Sequence, residues 1–171
     1  MKQCISCEDK INTEEDYYNY TCDEDIICEG CYESDLNNAD TIIDSEGVKY
    51  YKGSYTLIDE NGEDYNIPDS IKEYANNIEY KKTDAWRGYS KGKAPKNYKC
   101  IEDRWFSGFD GFNMSNLMEN FHAIIENDRE FLSGFDYFYG VLLTSNVFSQ
   151  NFELYIKEDQ AEEFINRINN F

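Results

Sequence analysis

Cys4-Ile5-Ser6-Cys7 and Cys28-Glu29-Gly30-Cys31 decide how the first part of this chain folds. Each Cys-x2-Cys pair presents two sulfurs from one tight turn, and 20 residues separate the two pairs. Two such turns brought together close the tetrahedral thiolate cage that Zn2+ takes in structural sites. The spacing therefore predicts one structural Zn2+ held by Cys4, Cys7, Cys28 and Cys31. Four protein sulfurs leave no open coordination position, so the metal would hold the fold and catalyse nothing. Disulfides or redox thiols are the competing reading of the same residues. The remaining cysteines, Cys22 and Cys100, read as small buried hydrophobes, with Cys22 as a substitute ligand in the alternative.

Between the pairs lies an aromatic and acidic stretch that includes Tyr17, Tyr18 and Tyr20. A short helix is expected to start at the second pair and run through Tyr32-Glu-Ser-Asp-Leu-Asn-Asn-Ala. Exposed amide donors and the helix dipole favour a thiolate pair at such an N-terminus. The order of knuckle, hairpin and helix is that of a treble clef. The stretch from Tyr20 to Tyr32, with both pairs, resembles treble-clef zinc fingers and ZZ-type fingers most closely. In that family the first and last pairs share one zinc, which falls here on Cys4, Cys7, Cys28 and Cys31. The second zinc of that family needs a middle pair and two histidines. Here Cys22 matches one cysteine of the middle pair but the position of its partner is Asn19, and the single histidine, His122, is remote. The resemblance spans about 35 residues and implies a protein-interaction module with one zinc.

The rest is expected to be an aromatic-rich mixed domain, so the predicted class is α+β, with a zinc module over 1–40, a polar joint over 40–48 and a larger domain over 48–171. Ser54–Ile58 and Glu63–Ile67 flank Asp59-Glu-Asn-Gly62, a strong hairpin signal. Ser70 and Glu73 read as a capping box ahead of Ile71, Tyr74, Ala75 and Ile78 at helical spacing. A second amphipathic helix carries Leu117, Met118, Phe121, Ile124 and Ile125. Strands follow at Tyr137–Thr144 and around Phe152, Leu154 and Ile156. Asp159 and Glu162 are expected to cap a final helix that buries Ala161, Phe164, Ile165 and Ile168. The segment from Lys81 to Lys99 has no periodicity and reads as a loop.

The chain of 171 residues has a net charge of −19, with 15 Tyr and 11 Phe, a composition for a packed protein and not for a disordered acidic tail. Residues 1–48 hold two basic and fourteen acidic side chains, net −12. Only 81–104 reverses sign, with eight basic against three acidic side chains, net +5. No apolar run approaches a membrane span, and the first residues lack the apolar stretch of a signal peptide, so a cytoplasmic setting is expected.

A strongly acidic surface repels phosphates and suits a basic protein partner, including one whose natural ligand is nucleic acid. The leading expectation is a non-enzymatic interaction protein, in the manner of a mobile-element inhibitor. Its candidate contact residues are Glu14, Glu15, Asp16, Tyr17, Tyr18, Asp23, Glu24 and Asp25. Nucleic-acid binding through 81–104, where basic residues alternate with Trp86, Tyr89 and Tyr98, is the first alternative. An enzyme with an anion site near Arg87, Lys91, Lys93 and Lys96 is the second. Asp84–Tyr89, Trp105–Gly108 and Leu143–Ser149 faintly resemble small phage- and plasmid-borne proteins of uncharacterised activity, which implies no mechanism. His122 reads as a helix-surface residue, and no motif assigns a catalytic group.

Overall fold

The computed structural model describes residues 1–20, 24–52, 57–63, 66–82, 88–91, 93–107, 115–143 and 149–171. Its first part is a pair of small hairpins and a helix. β1 (Lys2–Gln3) pairs antiparallel with β2 (Lys10–Ile11), and β3 (Tyr18–Tyr20) pairs antiparallel with β4 (Ile26–Cys28). Helix α1 (Glu29–Asn37) follows β4 without a break. It begins three residues before Tyr32, because Cys28 itself serves as its N-cap in extended backbone geometry.

Strands β5 (Asp40–Asp44), β6 (Lys49–Lys52) and β7 (Ile58–Asp59) come next, then α2 (Asp69–Asn76). A hairpin of β8 (Glu79–Lys82) and β9 (Gly88–Lys91) leads to the long β10 (Tyr98–Ser107). After α3 (Asn116–Asn127) the chain closes with β11 (Tyr137–Leu143), β12 (Ser149–Lys157) and α4 (Ala161–Asn169). Six strands form one antiparallel sheet in the order β10-β12-β11-β5-β6-β7. The fold is α+β.

Both faces of this sheet are covered, and strand alternation divides the core between them. Phe152, Leu154 and Ile156 of β12 and Tyr137 and Tyr139 of β11 meet α3 and α4 through Phe121, Ile124, Phe164 and Ile168. Phe138 and Tyr155, opposite each other in the register, face α2 and stack at 5.0 Å beside Tyr74, Ile71 and Ile42. Burial of each such side chain contributes about 1.5–3 kcal/mol. Phe121 is fully buried and meets the rings of Tyr137, Tyr139, Phe152 and Phe164 within 6.4 Å, so it is the hub of the larger core.

Four expectations are corrected. Residues 40–44 of the polar joint are β5, an interior strand bonded to β11 and β6. The basic segment 81–104 is not a loop throughout: β8, β9 and β10 take up much of it, since pairing compensates for weak local propensity. Ser70 does not cap α2: Pro68 is the N-cap, with its φ of −57° already near the helical value, and Glu73 instead accepts from the Lys96 backbone N–H at 3.1 Å. Gln160, not Asp159, precedes α4, with no side-chain cap bond. Of the expected hairpin the Asp59–Gly62 turn forms, while Glu63, Asn66 and Ile67 of its second arm lie in no strand. Asp59 Oδ1 accepts from the N–H groups of Asn61 and Glu63, and Gly62 takes a φ of +81°. Beside that turn, β7 pairs back to β6. The segments 53–56 and 64–65, on which parts of the expected hairpin fall, lie outside the described residues.

Candidate metal centre

Cys4 and Cys7 sit in the turn that joins β1 to β2. The Cys4 N–H donates to Asp9 O at 2.8 Å and the Glu8 N–H to Cys4 O at 3.0 Å, which folds the chain tightly around the two sulfurs. Closing this turn places Glu8 at a φ of +64°, a left-handed conformation that glycine adopts more cheaply. Gln3 Nε2 holds Glu8 O at 2.9 Å. The Ile5 N–H donates to Ile26 O at 2.9 Å and docks this knuckle on β4.

Cys28 and Cys31 come from the end of β4 and the first turn of α1. The four Sγ atoms all lie within 4.8 Å of one another, and Cys7 Sγ is 3.8 Å from Cys28 Sγ. A tetrahedron of sulfurs with metal bonds of about 2.3 Å has edges of about 3.8 Å, so the donor set fits one tetrahedral metal ion. Among the described residues this is the one group of three or more Cys, His, Asp or Glu so gathered.

The donors are not equivalent. Cys4 is 1% exposed among Ile11, Ile26 and Ile27, whereas Cys7 is on the surface. Burial works to raise the Cys4 thiol, but the amide N–H groups of Cys28, Cys7 and Ser6 outweigh it and bring the thiol down to about 6. At Cys7 the Asp9 backbone lowers the thiol, while the neighbouring sulfurs of Cys4, Cys31 and Cys28 together with burial carry it up to about 12. In the thiol form Cys7 Sγ donates to Asp9 Oδ2 at 3.4 Å. Cys4 forms an anion readily while Cys7 and Cys31 resist joining it, which is the repulsion a divalent cation removes. Glu8 and Asp9, which shape and flank the site, carry no spacing signal in the sequence.

Of the candidate contact residues, Glu14, Glu15 and Asp16 lie in the exposed turn between β2 and β3. Two of them have structural work there: Asp16 Oδ2 accepts from the Asn12 N–H at 2.7 Å, and Glu15 Oε2 from Asn12 Nδ2 at 2.9 Å. Tyr17 is 82% exposed and Tyr20 52%, while Tyr18 packs partly into the small core. Glu24 and Asp25 are exposed at the start of the turn into β4, and Asp23 and Cys22 lie outside the described residues. Among the anion candidates Lys93 and Lys96 are exposed, Lys91 ends β9, and Arg87 lies outside the described residues, as do Asp84–Trp86 and Thr144–Phe148. Cys100 is half-buried, donates to Glu102 O at 3.2 Å and is pushed up to about 11 by burial. His122 is half-buried against the Phe152 ring at 5.2 Å, and burial lowers it. No described helix is long and apolar enough to cross a membrane. Comparison with protein-family models, curated proteins and solved structures gives no match.

Proposed function

We propose that this chain is a cytoplasmic, non-enzymatic interaction protein, with a treble-clef finger stapled by one structural Zn2+ and acidic faces that engage a basic partner protein. The observation that carries the reading is the 82% exposed Tyr17, directly after Glu14, Glu15 and Asp16 in an exposed turn, with Glu24 and Asp25 exposed at the other end of the β3–β4 hairpin, on a module whose four thiolates leave a metal no open position. The acids supply long-range attraction, and the tyrosines supply area that can be desolvated on contact. Zinc suits the site because a closed set of four thiolates is its structural coordination, and it would supply folding energy there. The small core of the finger has three isoleucines and Cys4, little to set against the backbone entropy of its chain. A partner whose own ligand is nucleic acid would be blocked by such an acidic surface, the mode of action of a mobile-element inhibitor.

The test uses a partner isolated on the immobilised full chain. Association followed by stopped flow should slow as salt rises, because steering acts over a Debye length of about 10 Å at 0.1 M. Glu14→Gln, Glu24→Gln and Asp25→Asn together should slow it further while metal content stays at one per chain. Glu15 and Asp16 are left in place because they hold Asn12. An association rate unchanged by the triple substitution would mean that this acidity serves solubility alone.

A further inference from the structure

β5 and β7 end in the same kind of turn. Asp44 Oδ1 accepts from the N–H groups of Glu46 and Val48 at 2.9 and 3.0 Å, as Asp59 Oδ1 does from Asn61 and Glu63, and Gly47 takes a φ of +88°. The second oxygen of Asp44 accepts from the Tyr50 hydroxyl at 2.8 Å. Phe138 stands opposite Asp44 in the register, and Tyr50 and Phe138 belong to the α2 side of the sheet. The buried Tyr50 reports the charge gathered there. Burial first, then the Asp44 bond and the charges of Asp44, Asp59 and Glu46, raise its hydroxyl above the ordinary range.

A cavity of about 240 Å3 lies between the Asp44–Val48 turn and the first turn of α2. Ile71, Phe138 and the half-buried Tyr98 give it an apolar wall, with the Tyr98 and Phe138 rings 5.3 Å apart. Asp44, Glu46 and Asp136 give it an acidic wall, and among the described residues no basic side chain lines it. Asp136 is paired with Lys157. The exposed Glu46 carboxylate has no hydrogen bond or ion pair among the described residues, and Ser70 Oγ, which does not cap α2, has none either. The chemistry of these walls narrows the ligand. Carboxylates exclude an anion even beside a helix N-terminus, whose first turn here already holds Asp69. A divalent cation takes about six oxygens, and Asp44 already accepts three hydrogen bonds. The volume falls below the roughly 300–1,000 Å3 of small-molecule pockets and suits a single side chain.

We propose that this cavity seats an arginine side chain of a basic partner protein, with the guanidinium on Glu46 and Asp44 and the stem against Tyr98. A guanidinium is planar and weakly hydrated, so it stacks on a ring while its fork of N–H groups meets carboxylates. The compact, strongly hydrated ammonium of lysine does this less well. The seat gives Glu46 a role that its turn does not, since only its backbone N–H is used there. It belongs to the larger domain, so the inference stands whether or not the acidic turns of the finger steer the partner.

The test titrates the full, metal-loaded chain with acetyl-arginine methylamide and follows backbone amide shifts by NMR. Residues 44–48, 69–71 and 136–138 should shift saturably. Glu46→Gln, at an exposed position, should weaken binding about fivefold with the fold unchanged. Acetyl-lysine methylamide and the uncharged acetyl-citrulline methylamide should bind about fivefold or more weaker than the arginine form. Ser70→Arg, which puts a guanidinium on the wall of the cavity, should abolish binding. Glu14→Gln, Glu24→Gln and Asp25→Asn together should leave it unchanged, so this reading and that of the finger fail separately. Shifts that do not saturate, lysine or citrulline forms that bind as tightly, or wild-type affinity in Glu46→Gln or Ser70→Arg overturn the proposal. Free arginine bound about tenfold more tightly than the blocked form makes the amino acid the ligand and overturns the assignment to a partner side chain.

Discussion

The backbone N–H of Cys28 donates to Sγ of Cys4 at 3.4 Å, across 24 residues of sequence. The residue that caps α1 therefore also supplies a donor to the buried sulfur of the knuckle. Substituting Cys28 by Ser removes a metal donor yet keeps both the backbone N–H that Cys4 Sγ accepts from and a residue suited to the N-cap, so its effect reports the lost sulfur. Elemental analysis should give one zinc per chain for the wild type and none for Cys28→Ser, whose β1–α1 segment should lose amide protection. Cys100→Ser, outside the cage, should retain one zinc. Two zinc ions per chain would contradict a single closed cage.

Glu8 offers a gain where most substitutions lose. Its left-handed backbone costs a residue with a Cβ about 1 kcal/mol. Glu8→Gly should strengthen metal retention in a chelator competition by about fivefold, and Glu8→Val should weaken it. The Gln3 bond goes to the backbone carbonyl, so it survives either change.

Phe121→Ala should destabilise the larger domain by about 3–5 kcal/mol, because it empties the ring cluster between α3, α4 and the sheet. Thermal unfolding should move to markedly lower temperature. Zinc content at low temperature should stay at one, since Phe121 belongs to a different core from the cage.

Alkaline titration separates the tyrosines. Burial first, and then the carboxylates they bond, raise Tyr50, Tyr74 and Tyr155, and burial takes Tyr137 up to about 12. A folded pKa above the unfolded value of about 10 means that their stabilisation is complete below pH ~10 and is lost as pH rises through the folded values. Absorbance at the tyrosinate band should therefore rise in two stages. The buried set belongs to the later stage and ionises only together with loss of the far-ultraviolet signal. A single transition with the fold intact would show that the buried hydroxyls are accessible.

The metal cage and the helices α2, α3 and α4 were legible in the sequence for different reasons. Ligand spacing is a requirement of coordination geometry, so Cys4, Cys7, Cys28 and Cys31 announce themselves whatever their surroundings. Phe121 and Phe164 recur at helical spacing with their neighbours because one face of each helix meets the sheet. β12 was half legible. Phe152, Leu154 and Ile156 mark a buried face, but Asn151, Glu153 and Tyr155 read as the solvent side of the same strand. They are buried because this sheet carries layers on both sides, a fact of tertiary packing that alternation does not encode. β5 was missed because Asp40 and Asp44 bracket two isoleucines and give the segment the look of a linker. The β8–β9 hairpin was missed because its lysines and glycine have no apolar alternation, and long-range pairing overrides that local signal.

The junction after α1 has a consequence for how the metal acts on the whole chain. The helix ends at Asn37, Ala39 is 3% exposed and β5 starts at Asp40, so the cage and an interior strand are separated by a single helix and two residues. On the same helix the Tyr32 hydroxyl lies against the Asp59–Gly62 turn, 2.9 Å from where a Cβ on Gly62 would stand. A metal held in the cage would then be a thermodynamic variable of the sheet as well as of the β1–α1 segment. By mass action each tenfold increase in such a free metal above its dissociation constant would add about 1.4 kcal/mol to whatever unfolds together with the cage. A continuous rise of the β5 exchange barrier with zinc activity, in step with that of α1, is the signature of a shared cooperative unit.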